Sequence, residues 1–163
     1  MTTATAATNT PTPEQRLQQL GIALPTVSAP RGNFDAYVLD GNMLYLSGKG
    51  SPQREDMATV PKVGREISAA EARDHARAVG LQLIATMQAA LGDLSRVRRV
   101  VKVLGMVNAV PDFMQHTEVV NGCSDLLVEV FGDAGRHARS AVGVGSLPRG
   151  FAVEIEAIVS VKD

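Results

Sequence analysis

The clearest pattern along the chain is a helical spacing of apolar residues between Ser68 and Gly92. Ser68 followed by Glu71 forms a capping box, the usual start of a helix. The apolar positions that then recur at helical spacing are Ala72, Ala76, Val79, Leu83, Met87 and Ala90. Polar side chains fall largely off this stripe. The pattern therefore predicts a long helix that packs on a sheet and leaves one side in water.

Segments rich in valine or with alternating polarity predict strands on both sides of that helix. They are residues 37–40, 43–47, 97–107, 138–145 and 151–161. The Gly41-Asn42 pair predicts a hairpin turn between the first two. The short SLPRG connection predicts that the last two strands are antiparallel neighbours.

Two shorter helices complete the predicted elements. Thr12, Pro13 and Gln15 have the chemistry of a helix start, and Gly21 lies where a helix would end. A further helix is predicted within residues 113–131, with Gly122 as a breaker in its first half. The order of elements favours an α+β fold with helices on one face of a sheet over a doubly wound α/β sheet.

Two segments show no apolar periodicity. Residues 1–11 are small and polar and predict a disordered tail, so we expect a single domain over residues 12–163. Residues 48–65 hold three glycines and two prolines among alternating charges. A loop of this length is usually functional or mobile, and the sequence leaves both options open.

The composition limits the classes of function. The 163 residues are 45% hydrophobic with a net charge of −1, which suits one soluble domain and gives no overall attraction to nucleic acid or to an anionic membrane. One cysteine excludes an internal disulfide, and three scattered histidines lack metal-ligand spacing. We expect no cofactor and no metal. No bilayer-length apolar run and no secretory pattern is present, so the cytoplasm is the expected compartment.

Candidate chemistry is concentrated near the C-terminus. Glu154 and Glu156 share one face of the last strand, about 6.6 Å apart, where water or a small substrate could bind. An exposed polar face explains the pair equally well. Arg139 begins the preceding strand and has the planar donor pair that grips carboxylates, although a surface ion pair is the commoner role. If the two strands pair, Arg139 approaches the glutamates.

Other candidates are weaker. A triad of Ser140, His137 and Glu154 lacks the GxSxG turn of serine hydrolases. Cys123 has the character of a small buried residue. The basic run Arg96, Arg98, Arg99 and Lys102 fits a charged strand edge better than a nucleic-acid surface, because aromatic residues are only 4%.

Three stretches resemble the RidA/YjgF family of reactive-intermediate deaminases, also called L-PSP endoribonucleases. GRHARSAVGVGSLPRGFAVEIEAIVSV is similar to the family's C-terminal signature. YVLDGNMLYLSGKG resembles its GN…SGQ element, and AALGDLSRVRRVVKVLGMVNAVPDF resembles its helix-to-strand segment. The resemblance spans about residues 30–161, and the leading helix and longer loops resemble a longer branch of the family.

The resemblance implies a chorismate-mutase-like α+β fold and a homotrimer with small-molecule sites in the clefts between subunits. It implies hydrolysis of small 2-imino acids and enamines to 2-oxo acids and ammonia. Arg139 matches the arginine that binds the substrate carboxylate, and Glu154 matches the glutamate that positions the attacking water. No metal or covalent nucleophile is needed, because a protonated imine carbon is already electrophilic.

Four further positions match family site residues. Phe34 falls near a tyrosine, Ser47 near a serine or threonine, and Ala141 where the main branch has cysteine; Asn121 is one candidate for the family's asparagine. The changes at Phe34 and Ala141 make a second function plausible on the sequence: a non-catalytic trimer that binds a small carboxylate or a protein. Ribonuclease activity follows only the older family label.

Overall fold

A computed structural model of the chain describes residues 10–53 and 60–162. The helices are α1 (Pro13–Gln19), α2 (Ala69–Leu91) and α3 (His116–Phe131). The strands are β1 (Tyr37–Asp40), β2 (Met43–Gly50), β3 (Val97–Val107), β4 (Ala138–Gly143) and β5 (Val153–Val161). Short 3₁₀ turns precede β3, β4 and β5. The predicted order of strands and helices is confirmed, and β2 runs three residues further than predicted.

The five strands form one mixed sheet in the order β1-β2-β5-β3-β4. Only the β3/β4 pair is parallel. The prediction that β4 and β5 are neighbours is wrong, because β5 lies between β2 and β3. The connection between β4 and β5 crosses the end of β3 instead of turning back: the Val144 amide donates to Val107, and the Asn108 amide donates to Ala152.

Alternation along the strands decides which side chains enter the core. On β5, Val153, Ile155, Ala157 and Val159 are buried, whereas Glu156 between them is exposed. The buried set packs against the apolar faces of α2 and α3, so both long helices cover the same face of the sheet. The predicted α+β architecture with helices on one face is confirmed.

The opposite face of the sheet, called the open face below, has no helix over it within residues 10–53 and 60–162. It nevertheless has large apolar side chains at its surface. They are Val38 (53% exposed), Tyr45 (43%), Val101 (36%) and Val142 (41%). Exposed apolar side chains on an uncovered sheet face make that face a candidate interaction surface.

Gly122 does not break α3, which continues through it from His116 to Phe131. A Cβ at Gly122 would overlap the carbonyl oxygen of Arg73 on α2. A Cβ at Gly80 on α2 would approach Leu126 at 3.0 Å and the Cys123 sulfur at 3.2 Å. Glycine is needed at these two positions because the helices pack closely there.

The segment before α2 is anchored in the core. Val63 is fully buried, and its backbone forms hydrogen bonds with Asn108 and Val110, which directly follow the end of β3. Ile67 is also buried. Residues 60–65 of the predicted long loop therefore belong to the ordered fold. Residues 54–59 of that loop, and residues 1–9 of the predicted tail, lie outside the described residues.

The basic run is not on an edge strand, because β3 lies between β5 and β4. Pairing with β4 begins only at Lys102, so Arg98 and Arg99 precede it and are exposed. Arg99 donates to the carbonyl of Asp133, in the 3₁₀ turn beside β3. Among the described helices, none is long and apolar enough to cross a membrane.

The close approach of α2 and α3 predicts a strong effect of one methyl group. We expect Gly122→Ala to lower the free energy of unfolding by about 2 kcal/mol or more, since the new Cβ meets a rigid backbone oxygen. Gly145→Ala is the matched control, because a Cβ there has no neighbour within 4 Å. Urea denaturation measures both. Equal stability of the two variants would contradict the packing described here.

Candidate functional site

The first part of the candidate site surrounds Glu154 on the open face of β5. The pairing of β2 with β5 is irregular between Leu46 and Lys49, and Gly48 lies in this irregular stretch. A Cβ at Gly48 would overlap the Glu154 carboxylate. Glycine at this position therefore makes room for the carboxylate beside the backbone of β2.

A cleft of about 510 Å³ opens next to this carboxylate. Its lining includes Phe34, Gly48, Lys49, Gln82, Phe151 and Glu154. Gln82 of α2 donates to the carbonyl of Gly50 at 3.0 Å and so joins the helix to the end of β2. Arg31 and Arg149 also line the cleft. Three cationic side chains and two aromatic rings thus line the same cleft as one carboxyl group, and this excess of positive charge suits a small anionic ligand.

Partial burial shifts the pKa values of two of these groups. Burial raises the pKa of Glu154, and repulsion by Glu156 raises it further. Burial lowers the pKa of Lys49. A carboxyl group with a raised pKa accepts a proton more readily than an exposed glutamate, which is the property required of a general base.

The second part of the candidate site is built around Arg139 of β4, whose side chain reaches α3 on the helix-covered face. Nη1 donates to Asn121 Oδ1 at 2.8 Å and to Ser124 Oγ at 3.0 Å. Nη2 makes a long bond of 3.5 Å to the carbonyl of Thr117. The predicted residue Asn121 is therefore in contact with Arg139.

Ser124 and His137 complete this group. Ser124 Oγ lies 3.0 Å from His137 Nε2, and His137 Nδ1 lies 2.6 Å from the carbonyl oxygen of Gly135. Burial is the main cause that lowers the pKa of His137, and the positive charge of Arg139 adds to it; the bond to Gly135 acts in the opposite direction. Sequence reasoning missed Ser124, although its position three residues after Asn121 puts both on one helix face.

Of the other predicted site residues, Phe34 lines the cleft beside Glu154, Ser47 holds the chain next to Phe34, and Ala141 lies against the core. Ser47 Oγ donates to the carbonyl of Asp35 at 2.6 Å and so fixes the chain next to Phe34. Phe34 is 55% exposed at the cleft. Ala141 follows Arg139 by two residues on the same face and packs against the core.

The alternative triad does not form. Lys102 donates to Ser140 at 2.9 Å on the open face, whereas His137 contacts Ser124. Cys123 is fully buried as predicted, and burial raises the pKa of its thiol to about 12. A thiol in that environment is a poor nucleophile.

Within one chain the structure does not bring Arg139 and Glu154 together. They lie on opposite faces of the sheet, and β3 separates their strands. Arg139 is level with Val103 and Glu154 with Met106, so their backbones differ by about 10 Å along the strands and about 10 Å across them. The expectation that the last two strands would bring the pair together is therefore wrong.

A five-stranded mixed sheet with two long helices on one face is an α+β architecture of the kind that the family resemblance implies. Comparison with known proteins agrees. The family described as "YjgF/chorismate mutase-like, putative endoribonuclease" matches residues 14–151. The chain belongs to this family, the RidA/YjgF family.

Similar proteins occur in distant organisms. Protein TCP17 of Trypanosoma cruzi is 45% identical over 90% of this chain and 92% of its own length. The crystal structure of Atu1372 from Agrobacterium tumefaciens, a protein of unknown function, is 41% identical with a TM-score of 0.81, covering 92% of each chain. RidA from an Antarctic Psychrobacter species is 25% identical with a TM-score of 0.57, covering 85% of this chain and 98% of its own.

The raised pKa of Glu154 predicts a pH-dependent cost in stability. Folding favours the protonated carboxyl, so the ionised form destabilises the fold above the folded pKa, and this cost disappears as the pH falls below the unfolded value. We expect Glu154→Gln to be more stable than the wild type at about pH 7.5, by less than about 1 kcal/mol, and equally stable near pH 4.

Urea denaturation at fixed protein concentration tests this expectation. Glu156→Gln is the comparison variant, because it removes only the second cause of the shift and should give a smaller gain in the same direction. A loss of stability in Glu154→Gln at neutral pH would show that the carboxylate has a favourable partner instead.

Proposed function

We propose that this protein is a homotrimeric hydrolase that converts small 2-imino acids and their enamines to 2-oxo acids and ammonia. In this proposal each site is shared between two subunits: Arg139 of one copy binds the substrate carboxylate, and Glu154 of the next copy activates water. The observation that carries the proposal is the separation of these two residues on opposite faces of one sheet. Only a second copy could bring both to one small substrate.

The open face supports self-association. It exposes Val38, Tyr45, Val101 and Val142, and the described chain places no helix over it. The helix-covered side of β4 and the open side of β5 are different surfaces, so a contact between them joins unlike patches of two copies. Contacts of this head-to-tail kind form a ring when the rotation between copies closes, and three copies form the smallest ring beyond a dimer.

Arg139 is suited to bind a carboxylate. Asn121, Ser124 and the Thr117 carbonyl hold its guanidinium, and none of these neighbours neutralises its charge. A fixed guanidinium with donors to spare binds a carboxylate through two parallel hydrogen bonds. Anchoring in this way orients the adjacent C=N carbon toward the attacking water.

The proposed reaction needs one water and one proton carrier. Glu154 accepts a proton from the water as the oxygen bonds to C2 of the protonated imine and the C=N π bond becomes the nitrogen lone pair. The proton then passes to nitrogen, the C2–N bond breaks with loss of ammonia, and the C2 hydroxyl loses its proton to give the 2-oxo acid. The raised pKa of Glu154 suits a group that must both take and return a proton.

A second candidate is a trimer that binds small carboxylates without turnover. Phe34 offers no hydroxyl and Ala141 no thiol at the two positions where the main branch of the family has them. This candidate keeps the Arg139 anchor and drops the chemical step. Binding of 2-oxobutanoate without accelerated hydrolysis of 2-iminopropanoate would select it.

The shared site predicts that two inactive variants restore each other. Arg139→Ala and Glu154→Gln should each abolish acceleration of 2-iminopropanoate hydrolysis above the spontaneous rate. Mixed trimers contain interfaces with an intact Arg139 from one variant and an intact Glu154 from the other. Random mixing at equal amounts should restore about one quarter of the wild-type rate.

The two variants are co-expressed with different tags, and the release of 2-oxo acid over time measures the restored rate. The control mixes Arg139→Ala with a second Arg139→Ala chain of different tag, which should stay inactive. An active wild type with inactive mixed trimers would contradict the shared site.

The open face predicts that one charge disrupts assembly. We expect Val142→Asp to give a monomer, because a carboxylate would be buried without a partner in the contact between copies. Light scattering at micromolar concentration measures the mass. Ala89→Asp, on the exposed side of α2, should leave a trimer. A monomeric wild type would contradict the shared site.

A further inference from the structure

A chain of hydrogen bonds leads from Arg139 through Ser124 and His137 to the Gly135 carbonyl. While His137 is neutral, each bond in this chain can have only one direction. A guanidinium only donates, so Ser124 Oγ accepts from Nη1. A carbonyl only accepts, so His137 Nδ1 bears the hydrogen that faces Gly135. In neutral His137 the other nitrogen, Nε2, is then a bare acceptor. The single hydrogen of Ser124 must therefore point at Nε2.

This chain determines which donors of Arg139 stay available. Asn121 and Ser124 use both hydrogens of Nη1, and the Thr117 carbonyl uses one of Nη2. The Nε hydrogen has no acceptor in the described chain, and one Nη2 hydrogen remains. Nε–H and the Nη2 hydrogen on the same edge of the guanidinium form the pair that a carboxylate accepts in parallel, and this pair is complete when the Thr117 carbonyl takes the other Nη2 hydrogen, the one that faces Nη1.

We propose that Ser124 and His137 are positioning residues that fix the Arg139 guanidinium with its Nε and Nη2 donors turned toward the substrate carboxylate. The proposal rests on the function proposed above, because it assigns Arg139 the carboxylate. Neither residue touches the substrate. His137 orients the Ser124 hydroxyl, and that hydroxyl presents its lone pairs to Nη1.

Protonation of His137 reverses one bond of the chain. Nε2 would become a donor, and Ser124 would have to accept from both His137 and Arg139 and redirect its own hydrogen. Arg139 on β4 is the charged group whose field acts on His137. On α3, Cys123 is neutral and Asp125 is bound by Arg73 of α2; in the preceding 3₁₀ turn, Asp133 pairs with Arg136. No carboxylate in the described chain thus offsets the added charge.

The first test needs no ligand. In ¹⁵N spectra of the wild type at about pH 7.5, His137 should have Nδ1 protonated and Nε2 unprotonated, and the two Nη signals of Arg139 should be separate because rotation is restrained. The Nη signals should approach each other as the pH is lowered through the titration of His137, which the same spectra record. Ser124→Ala should show faster rotation over the whole range, and Ser124→Thr, which keeps the hydroxyl, should resemble the wild type.

The second test measures the affinity for 2-oxobutanoate by calorimetry over the same pH range. Ser124→Ala should bind about tenfold more weakly than the wild type at neutral pH, the effect of one lost bond to a charged group. His137→Gln keeps an acceptor for Ser124 but cannot titrate, so its affinity should not fall in acid as that of the wild type does. His75→Gln, on α2, is the matched control and should behave as the wild type. Circular dichroism and trimer mass check that each variant folds.

The outcomes separate the two proposals. A wild-type His137 protonated on Nε2 at neutral pH would overturn the positioning role, as would Ser124→Ala with unchanged Arg139 rotation and affinity. If Arg139 is restrained as described but the wild type binds no 2-oxobutanoate, the orientation by Ser124 and His137 holds and the carboxylate site fails. Loss of the acid-dependent weakening in His137→Gln alone supports the role directly, since a purely structural residue would not change the pH profile.

Discussion

The sheet of this protein has two faces, and the described chain covers one of them with helices. Side chains alternate along each strand, so this single constraint sends Arg139 toward α3 and Glu154 toward the open face. The same constraint leaves Val38, Tyr45 and Val142 at the surface of a sheet whose other side is a dry core. The proposed division of the site between two copies and the apolar surface that would join them thus have one origin.

The neighbours of Arg139 on β4 differ from those of the two arginines on α2. Arg73 and Arg77 of α2 each bind a carboxylate of α3, Asp125 and Glu129, at 2.8 and 2.7 Å. Arg139 is held by an amide oxygen, a hydroxyl and a carbonyl instead. An ion pair within the chain would neutralise the Arg139 guanidinium, whereas neutral acceptors fix its orientation and leave its charge available to a ligand.

Local patterns in the sequence predicted the elements well, because the α2 stripe, the Gly41-Asn42 turn and the valine-rich β3 are encoded within a few residues. Pairing was not predictable in the same way: the SLPRG connection looks like a hairpin, yet it crosses the end of β3. Gly122 looked like a breaker because its reason for being glycine lies on another helix. The family motif gave Arg139 and Glu154 as candidate site residues. Ser124 and His137 are 13 residues apart, on α3 and just before β4, and only the fold brings them into contact.

Burial moves the two titratable neighbours of this site in opposite directions. It raises the pKa of Glu154 from the usual 4.5 and lowers that of His137 from the usual 6.5, because the charged form of each group is poorly solvated there. In the proposed shared site, an ionised Glu154 accepts a proton from water, and a neutral His137 leaves Arg139 as the positive group that faces the substrate carboxylate. A fall in pH acts against both roles: it protonates Glu154, and it adds a second positive charge beside Arg139. The same burial therefore limits, from both sides of the sheet, the pH range in which the proposed site has these two forms.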